Sequence, residues 1–381
     1  MMAWKEETAM CNKKRFIMKA LEKEKSFSAL CQEFDISREC GYKWLKRYQQ
    51  FGISGLEEYS RRPNVSPSKT STAIEGKILE IRNRYPAWGA RKIHAFLKRK
   101  EDISLPVPST INRILHRHHQ IEKEESTKHK AFIRFEHALP NQLWQMDFKG
   151  HFAIHNGRCN PLTILDDHSR FSLDIRACAN QQGTTVKTAL VNVLRNYGLP
   201  ERMTMDNGAP WGEKNGYTHL EVWLIRMGVH VGHSRPFHPQ TQGKDERFHR
   251  SLKEELLKGR EFTSLEDTQT HFDEWRKHYN HERPHEALGM NSPASRYQVS
   301  LRKYQEDLPL IEYEAGSIIR KVRSNGTICY QGTDYYMSES MVGMHVKVTE
   351  SKRYGIMEVY LCHQRIRDID LINKRSAKKI I

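Results

Sequence analysis

Three strand-like segments in a row, followed by helix and strand in alternation, constrain this chain more than any other feature. From Leu143 to Lys149 apolar and polar residues alternate. Trp144, Met146 and Phe148 share one face; Gln145, Asp147 and Lys149 share the other. That period of two is the mark of a strand. Pro161–Leu165 and Phe171–Ile175 read as two more strands, joined by the turn Asp166-Asp167-His168-Ser169-Arg170. A helix follows over 183–196, a strand over 201–205, a helix over 218–227 and a strand over 229–233. A long helix starts near Gln242. This order specifies an α/β unit on a mixed sheet.

The flanks differ in kind. Upstream, Phe27, Leu30, Cys31 and Phe34 recur at helical spacing. A second helix carries Tyr42, Leu45 and Tyr48, with Lys43, Lys46 and Arg47 among them and Ser37 as its N-cap. Helix, tight turn and basic helix is the helix-turn-helix plan, whose second helix enters the major groove. After the Ser- and Pro-rich stretch 55–72, read as a linker, a second helical unit appears. It runs through Ile74, Ile78 and Ile81, then WGARK, then a helix capped by Ser109 that carries Arg113, His116, Arg117 and His119. Downstream of about 311, five short strands punctuated by Gly326, Gly332, Gly343 and Gly355 specify a small β-barrel, followed by a basic tail read as unstructured. The expected domains are therefore 1–58 and 70–120 (helix-turn-helix), 138–300 (core with a helical extension) and 311–370 (β-barrel), separated by a charged connector over 120–140.

Charge supports a nucleic-acid partner. The formal net charge is +16, and residues 1–140 carry +11 of it, with 28 Lys/Arg against 17 Asp/Glu. Such a balance suits a polyanion, either nucleic acid or an anionic membrane surface. No apolar run is long enough for a membrane span. The seven cysteines form no C-x-x-C pair, which argues against a structural zinc site or a disulfide framework and for free thiols in a reducing cytoplasm.

Three acids stand out by position. Asp147 lies on the polar side of its strand. Asp206 closes the strand Arg202–Met205, just before the Asn207-Gly208 turn; strand ends are where α/β folds hold ligands. Glu246 sits early on the long helix. There Phe248, Leu252 and Leu256 fall on the apolar face, Glu246, Arg250 and Lys253 on the opposite face, and Asp245 nearer the apolar side. Three carboxylates suit a pair of Mg²⁺ ions, which take hard oxygen ligands and clamp the attacking and leaving oxygens of a displacement at phosphorus. Asp166 and Asp167 are rivals, but they stand in a turn, where Asp is common for local reasons. Spacing alone does not single out one triad.

The motifs WQMDFKG, LDDHSRF, MTMDNGAPW and HPQTQGKDERFHRSLKEELL, in that order over about 141–260, resemble those of insertion-sequence transposases of the DDE type. Their catalytic core is similar to retroviral integrase and has the ribonuclease-H-like fold. FDISRECGYKWLKRY and YPAWGARKIHAFL resemble their tandem helix-turn-helix modules, and YNHERPHEALGMNSPASRY the segment after their core. The resemblance implies Asp147, Asp206 and Glu246 as metal-binding catalytic acids, with two Mg²⁺ (or Mn²⁺) ions per site. It also implies Lys253 as a basic residue near the DNA end, and Asn207-Gly208 and His238-Pro239-Gln240 beside the site. DNA contacts are expected from Lys253, Arg250, Lys43, Lys46, Arg47, Arg113 and Arg117. The implied partners are double-stranded DNA, both element ends and target, and further copies of the chain when DNA is bound; the implied location is the prokaryotic cytoplasm. The stretch from Asp206 to Glu246 is a few residues longer than usual in the group, which puts the loop GEKNGYTHLEVW in doubt rather than the acids. Three readings stay open: an active transposase, a DNA-binding regulator with an inactive core, and a site-specific metal-dependent nuclease.

Overall fold

Local sequence sets several helix starts. Ser26, Ser37 and Ser71 each stand one residue before a helix: α2 (Phe27–Glu33), α3 (Arg38–Phe51) and α4 (Thr72–Arg84). Each hydroxyl accepts an N–H of the first turn, satisfying a donor that a helix N-terminus otherwise leaves bare. The computed structural model describes residues 9–58, 69–101, 103–121, 136–206, 208, 210–212, 215–233 and 243–378. The chain divides between Lys69 and Thr70 into two compact units.

In the first unit, α1 (Ala9–Glu22), α2 and α3 close around Phe16, Ile17, Leu30, Cys31, Trp44 and Leu56. The inward face of α3 carries Gly41 and Trp44, so the expected Tyr42–Leu45–Tyr48 stripe is rotated. Tyr42 is exposed and lies flat on Phe27, with ring centroids 4.2 Å apart. Gly41 permits this packing: a Cβ there would meet Cys31 Sγ at 2.8 Å. Leu56 ends a short 3₁₀ turn and is buried, so the linker starts later than position 55.

The second unit opens with α4, α5 (Ala90–Lys100) and α6 (Pro108–Arg117), packed on Ile78, Trp88, Ile93, Phe96, Ile111 and Leu115. Pro108, not Ser109, opens α6, with Val107 as its cap residue. Proline suits that first position because it lacks a donor the helix could not use there. The bundle lies against α10 (Leu265–His281). Tyr85 stacks on His278 at 4.5 Å, and Trp88 lies 5.4 Å from the same ring. Arg99 donates to the Glu282 carbonyl at 2.7 Å.

The central sheet follows the expected order. Strands β1 (Leu143–Phe148), β3 (Gly157–Asp166) and β4 (Ser172–Cys178) are antiparallel neighbours, and β2 (Phe152–Ile154) pairs with the start of β3. On the other side of β1, β5 (Arg202–Met205) and β6 (His230–His233) add in parallel. Helices α7 (Gly183–Tyr197) and α8 (His219–Arg226) cover the face that carries Trp144 and Met146. Helix α9 (Gly243–Leu252) and α10 cover the other, through Phe248, Leu252, Phe272, Trp275 and Tyr279. This is the ribonuclease-H-like arrangement. Phe248 is 2% exposed, and truncating such a side chain to Ala costs roughly 3–5 kcal/mol.

The strand-rich C-terminal domain is present as an antiparallel sheet in the order β13-β12-β11-β10-β7 with a separate hairpin β8–β9. The strands are β7 (Ile318–Lys321), β8 (Thr327–Tyr330), β9 (Thr333–Tyr336), β10 (His345–Glu350), β11 (Ile356–Leu361), β12 (Gln364–Asp370) and β13 (Arg375–Lys378). The last two were not among the five strands expected. The basic tail, read as unstructured, supplies β13, because it pairs with the Arg367–Asp370 stretch. This domain shares its core with the α7/α8 face. The Gln364 side-chain amide accepts from the Val231 N–H and donates to its carbonyl, at 2.8 and 3.0 Å. It thereby occupies backbone groups of β6 that an edge strand leaves open.

Candidate active site

The site is built on the parallel pair at the centre of the sheet. Strands β1 and β5 run in register from Leu143 opposite Arg202 to Gln145 opposite Thr204. Two residues further along each chain come Asp147, still in β1, and Asp206, just past the end of β5, and the Asp206 charge bears on the Asp147 carboxyl. Asp147 is half-buried and Asp206 exposed. Burial pushes the Asp147 carboxyl up to about 6; the Phe148 N–H pulls the other way, and the Asp206 charge adds to the rise.

Helix α9 crosses the same face. Thr163, the register partner of Asp147 on β3, donates its hydroxyl to the Asp147 carbonyl at 3.1 Å and meets His249 Nε2 at 2.8 Å. With the hydroxyl proton committed to the carbonyl, the ring donates from Nε2. Burial, with Lys149 nearby, lowers His249 to about 4, so the imidazole is neutral at pH 7. Glu246 precedes His249 by three residues, one turn of helix. It is exposed, as are Arg250 and Lys253, while Phe248, Leu252 and Leu256 are buried. The helix presents the faces its periodicity specifies. After Leu252 it continues as a π-helical turn, Lys253–Leu257.

Asp245 was read as a helix-terminus acid and is more than that. It is 4% exposed, and its Oδ1 is buried without a hydrogen-bond partner among the described residues. Burial drives its carboxyl well above the usual range; the Asp147 and Asp167 charges add to this, and Lys244 and Arg170 oppose it. The sequence signal was its place on the apolar face. Among the described residues no three acid, histidine or cysteine side chains converge as a ready-made metal cage. The Asp206 charge bears on Asp147, while Glu246 is an exposed residue of α9 that no described contact joins to either. Asn207 and His238-Pro239-Gln240 lie outside the described residues.

The rival acids have other partners. Asp166 is fully buried and accepts from the Asn141 N–H at 2.7 Å, the Ser169 N–H at 2.8 Å and the Ser169 hydroxyl at 2.5 Å. Asp167 accepts from the His137 N–H at 3.0 Å and the Gln145 amide at 3.2 Å, and forms an ion pair with Lys244. Burial works against both charges of that pair. For Lys244 burial prevails and its pKa falls. For Asp167 the Lys244 charge and the His137 donors outweigh burial and the carboxyl is lowered. The pair is ionic, because Asp167 keeps donors that Lys244 does not supply. Lys244 is the second residue of α9, so this turn pins the helix start. At the far end Arg283 holds Glu255 at 2.7 Å and the Ser251 hydroxyl at 3.1 Å. Beside Asp206, His233 Nδ1 donates to the Asp206 carbonyl at 2.9 Å, while Nε2 meets buried Glu221 at 2.8 Å. The sequence offered no signal for these distant pairings.

The expected DNA-contact residues divide. Lys43, Lys46 and Arg113 are exposed on their helices. Arg47 turns back to the Glu57 carbonyl at 2.6 Å, and Arg117 pairs with Glu75 at 2.5 Å.

Five family models match. Two are for the integrase core domain, over 137–239 and 227–293. The others are a helix-turn-helix domain over 12–63, a homeodomain-like domain over 40–115 and the IS481 family transposase C-terminal domain over 317–377. A protein of insertion element IS476 of Xanthomonas euvesicatoria is 25% identical over 258 residues, 64% of this chain and 69% of its own. A putative transposase for IS5376 of Geobacillus stearothermophilus is 24% identical over 269 residues, 68% of this chain and 64% of its own. Among solved structures, the simian T-cell lymphotropic virus intasome in complex with a PP2A regulatory subunit matches with a TM-score of 0.37 and 14% identity, over 74% of this chain and 91% of that one. By its domains the chain is a DNA-binding enzyme of the transposase and integrase class. It carries helix-turn-helix and homeodomain-like domains, an integrase core and an IS481-type transposase C-terminal domain, and is similar to proteins of insertion elements. Among the described residues, no helix is long and apolar enough to cross a membrane.

Proposed function

We propose that this protein cuts DNA at the ends of a mobile element and joins the freed 3′-hydroxyls to target DNA, with Asp147, Asp206 and Glu246 holding two Mg²⁺ (or Mn²⁺) ions. The observation that carries the reading is the register of β1 and β5. Continued two residues past Gln145 and Thr204 it reaches Asp147 and Asp206, and α9, which bears the third acid, is tied to Thr163 beside Asp147 through His249. The donor set suits divalent cations. It offers hard oxygens, a carboxyl raised by burial and by a neighbouring carboxylate, and a buried Asp245 oxygen without a partner among the described residues.

The bound ions would supply charge stabilisation to the attacking and leaving oxygens of an in-line displacement. The protein's own groups do the rest. The Thr163–His249 bond ties α9 to the strand of Asp147 and so sets the height of Glu246 over it. The Glu221–His233 pair holds the backbone at Asp206. Lys253 and Arg250, on the Glu246 face of α9, offer charge to phosphates next to the scissile bond. The exposed bases of α3 and α6 bind the element end, and joining two ends calls for at least two copies of the chain.

Labelled candidate end DNA, incubated with purified protein and Mg²⁺, tests this. Asp147→Asn, Asp206→Asn and Glu246→Gln should each retain end binding and lose cleavage and joining by about three orders of magnitude or more, the scale on which a removed catalytic group acts. Cleavage at normal rates by any of the three removes that residue from the site. Cleavage by the parent with no joining would favour a nuclease.

A further inference from the structure

The motif YNHERPHEAL starts at Tyr279 in the last turn of α10 and runs on past the helix end. None of its residues enters the chemistry above, yet the stretch from His278 to Glu286 makes contacts on two sides. His278, Glu282 and Glu286, at steps of four, meet the α4–α6 bundle. The His278 ring lies flat on Tyr85, with centroids 4.5 Å apart and planes 10° apart, and fully buried Trp88 lies at 5.4 Å. Lys100 reaches the Glu282 carboxylate at 3.3 Å, Arg99 donates to the Glu282 carbonyl at 2.7 Å, and Arg91 pairs with Glu286 at 3.8 Å. The residues next in sequence, Tyr279 and Arg283, turn the other way. The Tyr279 ring meets Phe248 of α9 edge-on at 4.9 Å. Arg283 donates to both Glu255 carboxylate oxygens, at 2.7 and 3.0 Å, and to the Ser251 hydroxyl of α9 at 3.1 Å. Residues four apart share a helix face, and a step of one turns by about 100°, so one helix end serves two partners.

These contacts leave the DNA-facing side of the bundle open. They come from the α4–α5 corner and from α5, while Asn112, Arg113 and His116 of α6 are exposed. On the other side, Ser251 stands five residues after Glu246 on the same helix. A path of stacked rings and charge-assisted bonds therefore runs from the bundle to the helix that bears the third acid, and such bonds fix geometry as well as adding strength. A reader on a flexible tether samples many offsets from the acids; a reader packed against their helix samples one. We propose that the stretch His278–Glu286 is a positioning connector: it fixes the second helix-turn-helix unit to α9, so that DNA held on α6 presents one phosphodiester to the acids. His278 and Glu282 are its positioning residues toward the bundle, and Arg283 toward α9. The inference rests on the DNA-joining reading above and adds what sets the place of the cut.

The test uses the full chain and labelled end duplex, with cuts mapped to the nucleotide. His278→Ala removes the stack on Tyr85. It should keep end binding and cut about 100-fold more slowly, the scale of a misplacement of about 1 Å, with nicks spread over neighbouring phosphodiesters. His278→Phe keeps a flat ring there and should cut at the parental position. Glu282→Lys alters a half-exposed pair and should spread the cuts to a lesser degree; adding Lys100→Glu should gather them again. Parental cut positions in both His278→Ala and Glu282→Lys overturn the proposal. Slow cutting at the parental position with a lowered melting temperature marks a structural role and also overturns it, as does a charge swap that gathers nothing. Zero-length carbodiimide coupling of Lys100 to Glu282, read by peptide mass spectrometry on the DNA-free parent with Lys100→Arg as the control, reports the contact itself. A missing coupled peptide overturns the connector whether or not the parent cuts. A coupled parent that cuts no end duplex fails the DNA-joining reading, and the positioning role falls with it.

Discussion

Two pairs of aspartates stand on or beside the central strands and have opposite fates. Asp166 and Asp167 are buried and saturated. Between them they take backbone N–H groups from Asn141, Ser169 and His137, the Ser169 hydroxyl, the Gln145 amide and the Lys244 ammonium. Asp147 has the Phe148 N–H and the Asp206 charge beside it, and its carboxyl rises to about 6. The same residue type, in one sheet, is used once to fix a turn and once, at Asp147, as a half-buried carboxyl whose pKa burial raises. A carboxylate that the protein satisfies is architecture; one that burial raises is a candidate ligand for a cation.

The contrast can be broken most forcefully at Asp167. Asp167→Asn leaves the Lys244 ammonium, 13% exposed, opposite a neutral amide. Removing one member of a buried ion pair costs roughly 3–5 kcal/mol. Chemical denaturation at pH 7 should show a loss of that order, and Lys244→Met should show a similar one. A change below about 1 kcal/mol, the range of surface pairs, would mean that the turn does not anchor α9 as described.

The Asp147 variant should behave differently. The Asp147 carboxyl is raised from 3.8 to about 6 in the fold. Between those values the folded state holds a proton that the unfolded chain has released. Above pH 6 its ionisation weighs against folding, by about 2–3 kcal/mol at most. As pH falls from 7 toward 4, that penalty disappears. Asp167 has the opposite sense: its carboxyl is lowered, so its contribution is present above the unfolded value and is lost as pH falls through the folded one. In metal-free buffer the parent should therefore gain stability over Asp147→Asn as pH drops from 7.5 to 5, in paired denaturation curves. A difference that does not move with pH would remove the contrast between the two aspartate pairs.

Much of the placement of the proposed acids was legible because it follows from period and order. Alternation across Leu143–Lys149 put Asp147 and Lys149 on one face. The strand Arg202–Met205 ended at Asp206. The helical period of Phe248, Leu252 and Leu256 turned Glu246, Arg250 and Lys253 the other way. What could not be read depends on residues far apart in sequence. Lys244 finds Asp167, Arg283 finds Glu255, Tyr85 and Trp88 stack on His278, and Gln364 caps β6. None of these leaves a periodic trace. Strands β12 and β13 were missed for the same reason: Arg375–Lys378 is basic and becomes a strand only because Asp370 and its neighbours offer an edge. Arg47 and Arg117 matched a DNA-facing pattern, yet each found an acceptor within its own helical unit.

The central claim is that Asp147, Asp206 and Glu246 hold divalent cations. Melting the parent, Asp147→Asn, Asp206→Asn and Glu246→Gln without DNA, across a titration of Mg²⁺ and then Mn²⁺, tests it without relying on turnover. A cation that binds only the folded chain raises the melting temperature in proportion to the logarithm of its concentration above Kd. The account predicts a rise for the parent that is lost or much reduced in all three variants and kept in Lys253→Met. The same rise in the parent and all three acid variants would contradict it.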